Sequence, residues 1–531
     1  MVPKMHKKYI YLILFFLTIG LLAFVFRKAN SHHVEEVSAQ AQNTDWQQLQ
    51  HDSERTGRTS ATVGNRLRAR WIWMGPNWIL RNKDSKQNVS TWDDDLASRE
   101  GYTLPMPTSV PFTFAESMQP LILGDKVFVG DHTLNKVWAL RLDDGETIWE
   151  KDNPGGTAMP GVVTDSVVVF GSLLGYVTAW DINTGDQLWQ IDTSRSITSA
   201  PLLHNNTIFI ANLGGEVYAI SLSGQVLWKK QTEAPIQGGL AASNNKIFVE
   251  NDAMFVYAFD AATGTQLAKS PRLMGQSFRG LWPVIAGNRV ILRTVPVIAI
   301  GSEYYLNGVI DGTDGNFQAE QTKLRTWLQS DAGKHFEHYI ALDINDLSKD
   351  YIIPNGPVGG VGFPADPPVV LADGKPVTWW PTYFGTITRC SFGCPSGMEI
   401  DLVSFDLNSG TGIQLTGSGS TVTGIETDNT FGMTVGGNTV YLRQNFRGTK
   451  SIDLTNLNSS AISAEYRWRD GGGWIAPLNY AQGNSAYPVP PGTILTPLTN
   501  PMLSYVHMGP AITQNRLLFT ERFGVTCMES Y

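Results

Sequence analysis

The chain has 531 residues, which is long enough for several ordinary domains or for one large repetitive domain. Hydrophobic residues make up 42% and charged residues 17% of the chain, and 52 Gly, 28 Pro and 16 Trp favour an all-β protein with many tight turns. The net charge of −8 comes without a basic patch, so the composition excludes a nucleic-acid-binding protein.

The N-terminal segment is predicted to anchor the protein in a membrane. Residues 9–26 form an uncharged apolar run between the basic segment 1–8 and another pair of basic residues. This length lies at the short end for a transmembrane helix and above the usual signal-peptide core, so a cleaved signal peptide is the alternative. In both cases we expect the body of the protein in the periplasm or outside the cell. The polar residues 27–45 are predicted to form a flexible linker.

A repeat of about forty residues begins after an isolated apolar strand at residues 68–73 and dominates the first half of the chain. The sequence AWDINTGDQLW, ending at Trp189, has relatives that end at Trp149 and Trp228, and a fourth copy has Ala268 in place of Trp. The Ala that opens each copy recurs at intervals of 40, 40 and 39 residues. A period of this length with strand composition is typical of β-propeller blades.

A second recurring sequence feature gives the number of units. Each unit has a turn residue, a spacer and then a β-branched or apolar run, as expected for a tight hairpin. The turn residues are Asp125, Asp165, Asn206, Asn245, Asn288, Gly374, Asn438 and Asn515. The sequence therefore predicts eight four-stranded blades within residues 46–531.

The last unit ends soon after its third strand, so it lacks an outer strand of its own. The strand at residues 68–73, which contains Trp71 and Trp73, is predicted to supply that strand and to close the ring. Four long insertions depart from the repeat and are expected to carry function. They span residues 78–118, 293–338, 379–399 and 471–500, and residues 316–330 have helical composition.

The repeat, Ala-x-Asp-x-x-Thr-Gly-x-x-x-Trp, resembles the repeat of the pyrroloquinoline quinone (PQQ) enzyme family. The resemblance implies an eight-bladed propeller in which Trp149, Trp189 and Trp228 dock neighbouring blades. Some members of the family are dehydrogenases that bind PQQ and Ca²⁺, and others have no cofactor, such as the lipoprotein subunit of the outer-membrane β-barrel assembly machine. The chain is closer to the second class, because the adjacent Cys pair of quinoprotein alcohol dehydrogenases is missing.

Other candidate sites have simpler interpretations. Cys390 and Cys394 could form a small disulfide, and two unpaired thiols in a loop are the alternative. The acidic stretches at residues 92–95 and 311–316 are interpreted as solvated loops or turns rather than calcium sites. His335 and His338 would point to opposite faces of an extended segment, which argues against a shared metal. No catalytic or metal-binding residue is predicted, and cofactor-binding residues stay unknown.

The leading hypothesis is a membrane-anchored, extracytoplasmic propeller that acts as a non-catalytic scaffold for protein partners. No cofactor is expected under this hypothesis. The alternative is a PQQ- and calcium-dependent dehydrogenase that oxidises an alcohol or a sugar.

Overall fold

The computed structural model describes most of the chain beyond the N-terminal segment. Its described residues are 45–64, 67–76, 79–81, 114–115, 117–295, 317–335, 339–354, 367–384, 398–415, 432–444, 448–455, 508–521 and 524–530. The chain divides into two compact units, residues 1–43 and 44–531, and every described residue belongs to the second. The predicted anchor at residues 9–26 lies outside the described residues. Among the residues that are described, no helix is both long and apolar enough to span a bilayer.

The second unit is an all-β propeller of eight blades, and its first four blades follow the chain in order. Three strands precede them: β1 (Arg58–Thr59), β2 (Leu67–Trp73) and β3 (Ile79–Arg81). Blades 1 to 4 comprise β4 (Leu121–Leu123), β5 (Lys126–Gly130), β6 (Lys136–Arg141), β7 (Thr147–Asp152); β8 (Val162–Val163), β9 (Val167–Gly171), β10 (Tyr176–Asp181), β11 (Gln187–Asp192); β12 (Leu202–His204), β13 (Thr207–Ala211), β14 (Glu216–Ser221), β15 (Val226–Gln231); and β16 (Ala241–Ser243), β17 (Lys246–Asn251), β18 (Phe255–Asp260), β19 (Gln266–Lys269).

Blades 5 to 8 keep this architecture with added elements. Their strands are β20 (Val284–Ala286), β21 (Arg289–Arg293), β22 (Tyr339–Asp343), β23 (Lys349–Ile353); β24 (Val369–Val370), β25 (Pro376–Phe384), β26 (Met398–Phe405), β27 (Gly412–Gln414); β28 (Met433–Gly436), β29 (Thr439–Gln444), β30 (Gly448–Asp453); and β31 (Ala511–Thr513), β32 (Arg516–Glu521), β33 (Gly524–Ser530). One helix, α1 (Phe317–Leu328), lies between β21 and β22 and coincides with the stretch of helical composition. Strands β25 and β26 extend into the range assigned to the third insertion.

Burial explains why these short strands stack into blades. The second strand of blade 2, β9, is buried along its whole length, because blades cover both of its faces. The outermost strand, β11, is exposed or half-buried throughout. The hairpin turns have the backbone that Asn tolerates, with a positive φ of 56° at Asn206 and 60° at Asn515. The prediction of eight blades built from four strands is confirmed.

The N-terminal strand β2 forms the outer strand of blade 8. It pairs antiparallel with β33, and the register places Trp71 opposite Cys527 and Trp73 opposite Val525. Strand β3 then pairs with β2, so this blade has five strands instead of four. Strand β1 adds a parallel partner to the inner strand of blade 7, which the sequence analysis did not predict.

Candidate functional site

The repeated tryptophans lie in the seams, which are the interfaces between consecutive blades. Trp149 Nε1 donates a hydrogen bond to the carbonyl oxygen of Ile182 in the next blade, at 3.2 Å. Trp189 and Trp228 make the same contact at 2.9 Å with the carbonyl oxygens of Leu222 and Ala261 respectively. Each indole therefore satisfies a backbone carbonyl of the following blade and covers it with apolar surface.

Each of these rings packs on a glycine of the next blade. A Cβ atom at Gly264, where φ is +67°, would lie 2.7 Å from Trp228 Cδ2, so no side chain fits there. Trp71 belongs to the same series, because its Nε1 donates to the Leu142 carbonyl at 2.9 Å and its ring lies against Gly145. Trp73 is fully buried beside it and stacks edge-on against Trp138 with 5.2 Å between ring centroids.

In the seams on either side of blade 5, other residues take the position of the tryptophan. Tyr351 replaces it between blades 5 and 6, where its hydroxyl donates to the Leu407 carbonyl and its ring lies against Gly410. Between blades 4 and 5 the tryptophan is replaced by Ala268, and the glycine of the following blade is replaced by Leu347.

The seam between blades 4 and 5 is therefore held by different chemistry. Leu347 is fully buried and packs in one hydrophobic cluster with Ala268. The corresponding carbonyl, on Ile344, accepts a hydrogen bond from Lys246 Nζ at 3.1 Å instead of from an indole. Losing the large ring and losing the glycine thus occur together, because the leucine side chain fills the space that an indole would need.

We expect that a tryptophan is tolerated in this seam only when a glycine is introduced opposite it. Ala268→Trp alone should destabilise the protein by overpacking against Leu347, whereas the double variant Ala268→Trp, Leu347→Gly should recover that loss. The coupling free energy between the two substitutions should be about 1–3 kcal/mol in favour of the pair. Urea unfolding of the wild type, both single variants and the double variant measures it. Additive effects would contradict this account of the seam.

The segment before β2 winds around the propeller axis and touches all eight blades in order. Its backbone or side-chain oxygens accept hydrogen bonds from amides in the inner strands of blades 1 to 7 and in the turn after the inner strand of blade 8. The donors are Ile122, Val163, Leu203, Ala242, Ile285, Val370, Val435 and Asn515, at 2.6 to 3.1 Å. Residues 46–62 therefore form a continuous inner ring that is part of the fold. We call this stretch the axial segment.

Arg55 lies at the centre of the axial segment and is completely buried. Its guanidinium donates to three carbonyl oxygens, those of Leu240 at 2.7 Å, Leu49 at 2.7 Å and Pro201 at 2.9 Å. Burial lowers the pKa of Arg55 to about 9, and the charge of Asp52 opposes that shift. Arg55 has a positive φ of 60°, which a non-glycine residue rarely adopts. Its contacts join the axial segment to blades 3 and 4.

Apolar side chains from several blades meet the axial segment near the axis. Leu49 is fully buried in one cluster with Met159, Trp282 and Met508, which precede the inner strands of blades 2, 5 and 8. Gln119 fixes the other side of the segment, because its Oε1 accepts from Trp46 Nε1 at 2.9 Å and its Nε2 donates to Gly509 O at 2.8 Å. The axial segment is thus held by an apolar cluster as well as by the buried polar side chains Arg55 and Gln119.

The described residues do not form a calcium-binding shell of the kind that a quinoprotein would need. Ca²⁺ takes six to eight oxygen ligands, several of them ionised carboxylates. Among the described residues, no three His, Cys, Asp or Glu side chains cluster in a way that could hold a metal ion. Glu250 is fully buried, and burial raises its pKa well above the ordinary value. The neighbouring Asp252 already accepts from Gln237 and Ser277. We derive no cofactor chemistry from this donor set.

The remaining candidate residues are structural or lie outside the described part. Asp181 accepts hydrogen bonds from the amides of Asn183 and Thr184, which lower its pKa and fix the turn. Cys527 is buried, and burial raises the pKa of its thiol to about 12, so the thiol is unreactive. His335 follows helix α1 and is among the described residues. His338 lies outside them, so the predicted arrangement of the two side chains is not tested. The possible disulfide of Cys390 with Cys394 and the acidic stretches at 92–95 and 311–316 lie outside the described residues.

Sequence reasoning missed the axial segment and the buried acid Glu250. The axial segment matches no repeat, and its signal is a group of polar residues with one Arg just before the first strand. Glu250 could have been found by aligning the repeats on their paired strands. Glu250 pairs with Val256, and the residues that pair with the corresponding valines in blades 1 to 3 are Gly130, Gly171 and Ala211. A glutamate at a position where blades 1 to 3 have Gly or Ala is the signal that would have singled out Glu250.

A family model described as outer membrane protein assembly factor BamB matches residues 133–235 and 213–319, which together are less than half of the chain. The resemblance to PQQ-repeat β-propellers is confirmed over these residues. No curated protein sequence matches the chain at a significant level.

Solved structures from both classes of the family are similar to the chain. BamB from Moraxella catarrhalis is 11% identical, with a TM-score of 0.46 over 79% of this chain and 98% of that one. A europium-containing methanol dehydrogenase is 13% identical, with a TM-score of 0.49 over 94% and 100% of the two chains. Quinohemoprotein alcohol dehydrogenase from Comamonas testosteroni is 12% identical, with a TM-score of 0.46 over 81% and 74%.

Proposed function

We propose that the protein is a membrane-anchored, extracytoplasmic propeller that acts as a non-catalytic scaffold for protein partners. The observation that carries this proposal is the packing of the axis. There the chain's own axial segment hydrogen-bonds all eight blades, and Leu49, Met159, Trp282 and Met508 fill the space between them. A propeller that uses its axis for its own packing has its loops and outer faces left for partners.

The family match supports protein partners in general, since the matching model describes an outer membrane protein assembly factor. Membrane attachment is proposed from the apolar run at residues 9–26 and its basic flanks. The linker would enter the propeller beside blade 1, where Asp45 Oδ1 accepts from the Gly124 amide at 3.0 Å. We propose that the propeller lies in the periplasm or outside the cell.

Two exposed leucines are the described candidates for a partner surface. Leu174 is 61% and Leu134 is 39% exposed, and they lie in adjacent loops of blades 2 and 1. The loops are joined by residues 153–157, because Leu174 packs on Gly155 and Thr157 N donates to Asp131 O at 2.8 Å. Single exposed apolar side chains are common on protein surfaces, and what distinguishes these two is that they lie in adjacent, connected loops. The insertions outside the described residues would extend this surface.

Two measurements on the full chain test the proposal. A photo-crosslinking residue at position 174 should give one defined protein adduct in the native membrane. The same residue at Leu188, which is 50% exposed on the outer strand of blade 2, is the matched control and should give none. Purified protein mixed with PQQ and Ca²⁺ should show neither the absorbance of protein-bound quinone nor dye-linked oxidation of alcohols and sugars. Stoichiometric PQQ binding with turnover would replace the scaffold by a dehydrogenase.

A further inference from the structure

We propose that the junction between blades 4 and 5 is a pH-sensitive seam, in which protonated Glu250 keeps two loops together and ionised Glu250 lets them separate. The loops are residues 237–239, which lead into blade 4, and residues 277–281, which lead into blade 5. This property is independent of the proposed scaffold function.

Backbone hydrogen bonds join the two loops directly. The Gly239 amide donates to the Leu281 carbonyl at 2.6 Å, and the Gly280 amide donates to the Gln237 carbonyl at 3.4 Å. Asp252 bridges the same loops, because it accepts from Gln237 Nε2 and, at 3.4 Å, from Ser277 Oγ. The seam is closed as long as these bonds hold.

Glu250 lies underneath this contact with no hydrogen-bond donor. Its side chain is completely buried, and neither carboxyl oxygen has a hydrogen-bond partner among the residues that the structure describes. A side chain on Gly238 would collide with Glu250 Oε1, and the position of that Cβ lies only 2.6 Å from Leu281 O and 3.1 Å from Phe278 O. A buried carboxylate without a hydrogen-bond donor is not compensated for the loss of its hydration, so this environment favours protonated Glu250.

The charged groups around Glu250 do not offset its ionisation. Asp252 follows on the same turn and carries the same charge, so it raises the pKa of Glu250 beyond the effect of burial. The loop at 237–239 contributes only the polar Gln237. The loop at 277–281 contributes Arg279, which is exposed to solvent. The corresponding residue of blade 5, Arg293, packs over the Tyr339 ring at 4.5 Å.

The outer part of the same seam is where the tryptophan contact is replaced. Ala268 and Leu347 take the positions of the indole and its glycine, and Lys246 donates to the Ile344 carbonyl. Aliphatic packing of Ala268 covers less surface than the rings in the seams on either side, Trp228 and Tyr351. The inner contact that depends on protonated Glu250 thus lies in a seam whose outer part has Ala268 instead of a large ring.

Proton linkage gives the direction of the effect. In the closed seam the pKa of Glu250 is raised, whereas in an open, hydrated seam it returns to its ordinary value. Between these two values opening releases one proton, so the equilibrium constant for opening rises about tenfold per pH unit. Above the pKa of the closed state the rise levels off. The seam is therefore most stable in acid and loosens as the pH increases.

Hydrogen exchange on the full chain in detergent micelles tests the proposal. Exchange of the Gly239 and Gly280 amides, corrected for intrinsic rates, should accelerate by up to about tenfold per pH unit once the pH exceeds the ordinary pKa of a glutamate. The amides of Leu173 and Leu213 are the internal controls, because they donate to Gly156 O and Ser196 O across two other seams. They should show no such slope.

Two variants separate Glu250 from general effects of pH. Glu250→Gln should remove the slope at Gly239 and Gly280. Glu216→Gln, which changes a carboxylate already paired with Lys229 at 2.5 Å, should leave it in place. A slope that persists in Glu250→Gln, or that appears equally at Leu173 and Leu213, overturns the proposal. If Glu250→Gln does not fold, Ala268→Trp with Leu347→Gly decides instead. That variant changes the outer packing without touching Glu250, so it should retain the slope at both glycines, and a flat pH profile in the wild type overturns the proposal by itself.

Discussion

Replacing Arg55 by methionine is expected to lower the free energy of unfolding by roughly 3–5 kcal/mol. Methionine keeps much of the length and the apolar surface of the side chain but has no donor. The carbonyl oxygens of Leu49, Pro201 and Leu240 would then lose their guanidinium partner in a buried environment. Each buried carbonyl left without a partner costs about 1–3 kcal/mol.

The measurement is urea unfolding of the full chain in micelles, followed by tryptophan fluorescence. Arg55→Lys should fall between the wild type and Arg55→Met, because one ammonium group cannot reach three carbonyls with the geometry of a guanidinium. Arg195→Met is the matched control, since Arg195 is exposed and its loss should change stability by less than about 0.5 kcal/mol. A stable Arg55→Met variant would mean that packing alone holds the axial segment. That outcome is physically realistic, because burying a cation is itself costly, as the lowered pKa of Arg55 indicates.

The blades could be predicted from the sequence because their information is repeated. The turn residues and the terminal tryptophans recur at a fixed period, and each recurrence strengthens the same interpretation. The strand with Trp71 and Trp73 could be assigned to blade 8 because the last unit was one strand short. Even the substitution in the seam between blades 4 and 5 is visible in the sequence, as the copy after Ala268 has Leu347 where the four copies before it have Gly.

The axial segment could not be predicted for the opposite reason. It touches each blade once, through contacts that are far apart in sequence, so no period marks it. Gln119 and Gly509 meet although 390 residues separate them, and only closure of the ring brings them together. For the same reason the sequence did not predict which carbonyl accepts the hydrogen bond of each tryptophan, because that depends on how neighbouring blades pack. Glu250 shows a related limit, since its environment is made by two loops from neighbouring blades.

Replacing Trp228 by alanine is expected to destabilise the protein by roughly 3–5 kcal/mol. The indole is 92% buried, since its relative exposure is 8%, and it packs against Phe209 with 5.7 Å between ring centroids. Its removal leaves a cavity against Gly264 and deprives the Ala261 carbonyl of its donor. Because each blade contacts mainly its two neighbours, the loss is confined to the seam between blades 3 and 4, and the ring should still assemble.

Two further variants divide the effect into packing and hydrogen bonding. Trp228→Phe keeps most of the ring but removes Nε1, so it should cost about 1–2 kcal/mol. Leu227→Ala is the matched control, because this neighbouring side chain is 52% exposed on the same strand and should change stability by less than about 0.5 kcal/mol. Urea unfolding gives all three values, and similar costs for Trp228→Ala and Leu227→Ala would contradict a docking role for the indole. If the ordering holds, the repeated tryptophan is a structural residue at this seam, and any ligand must be recognised by residues that do not repeat.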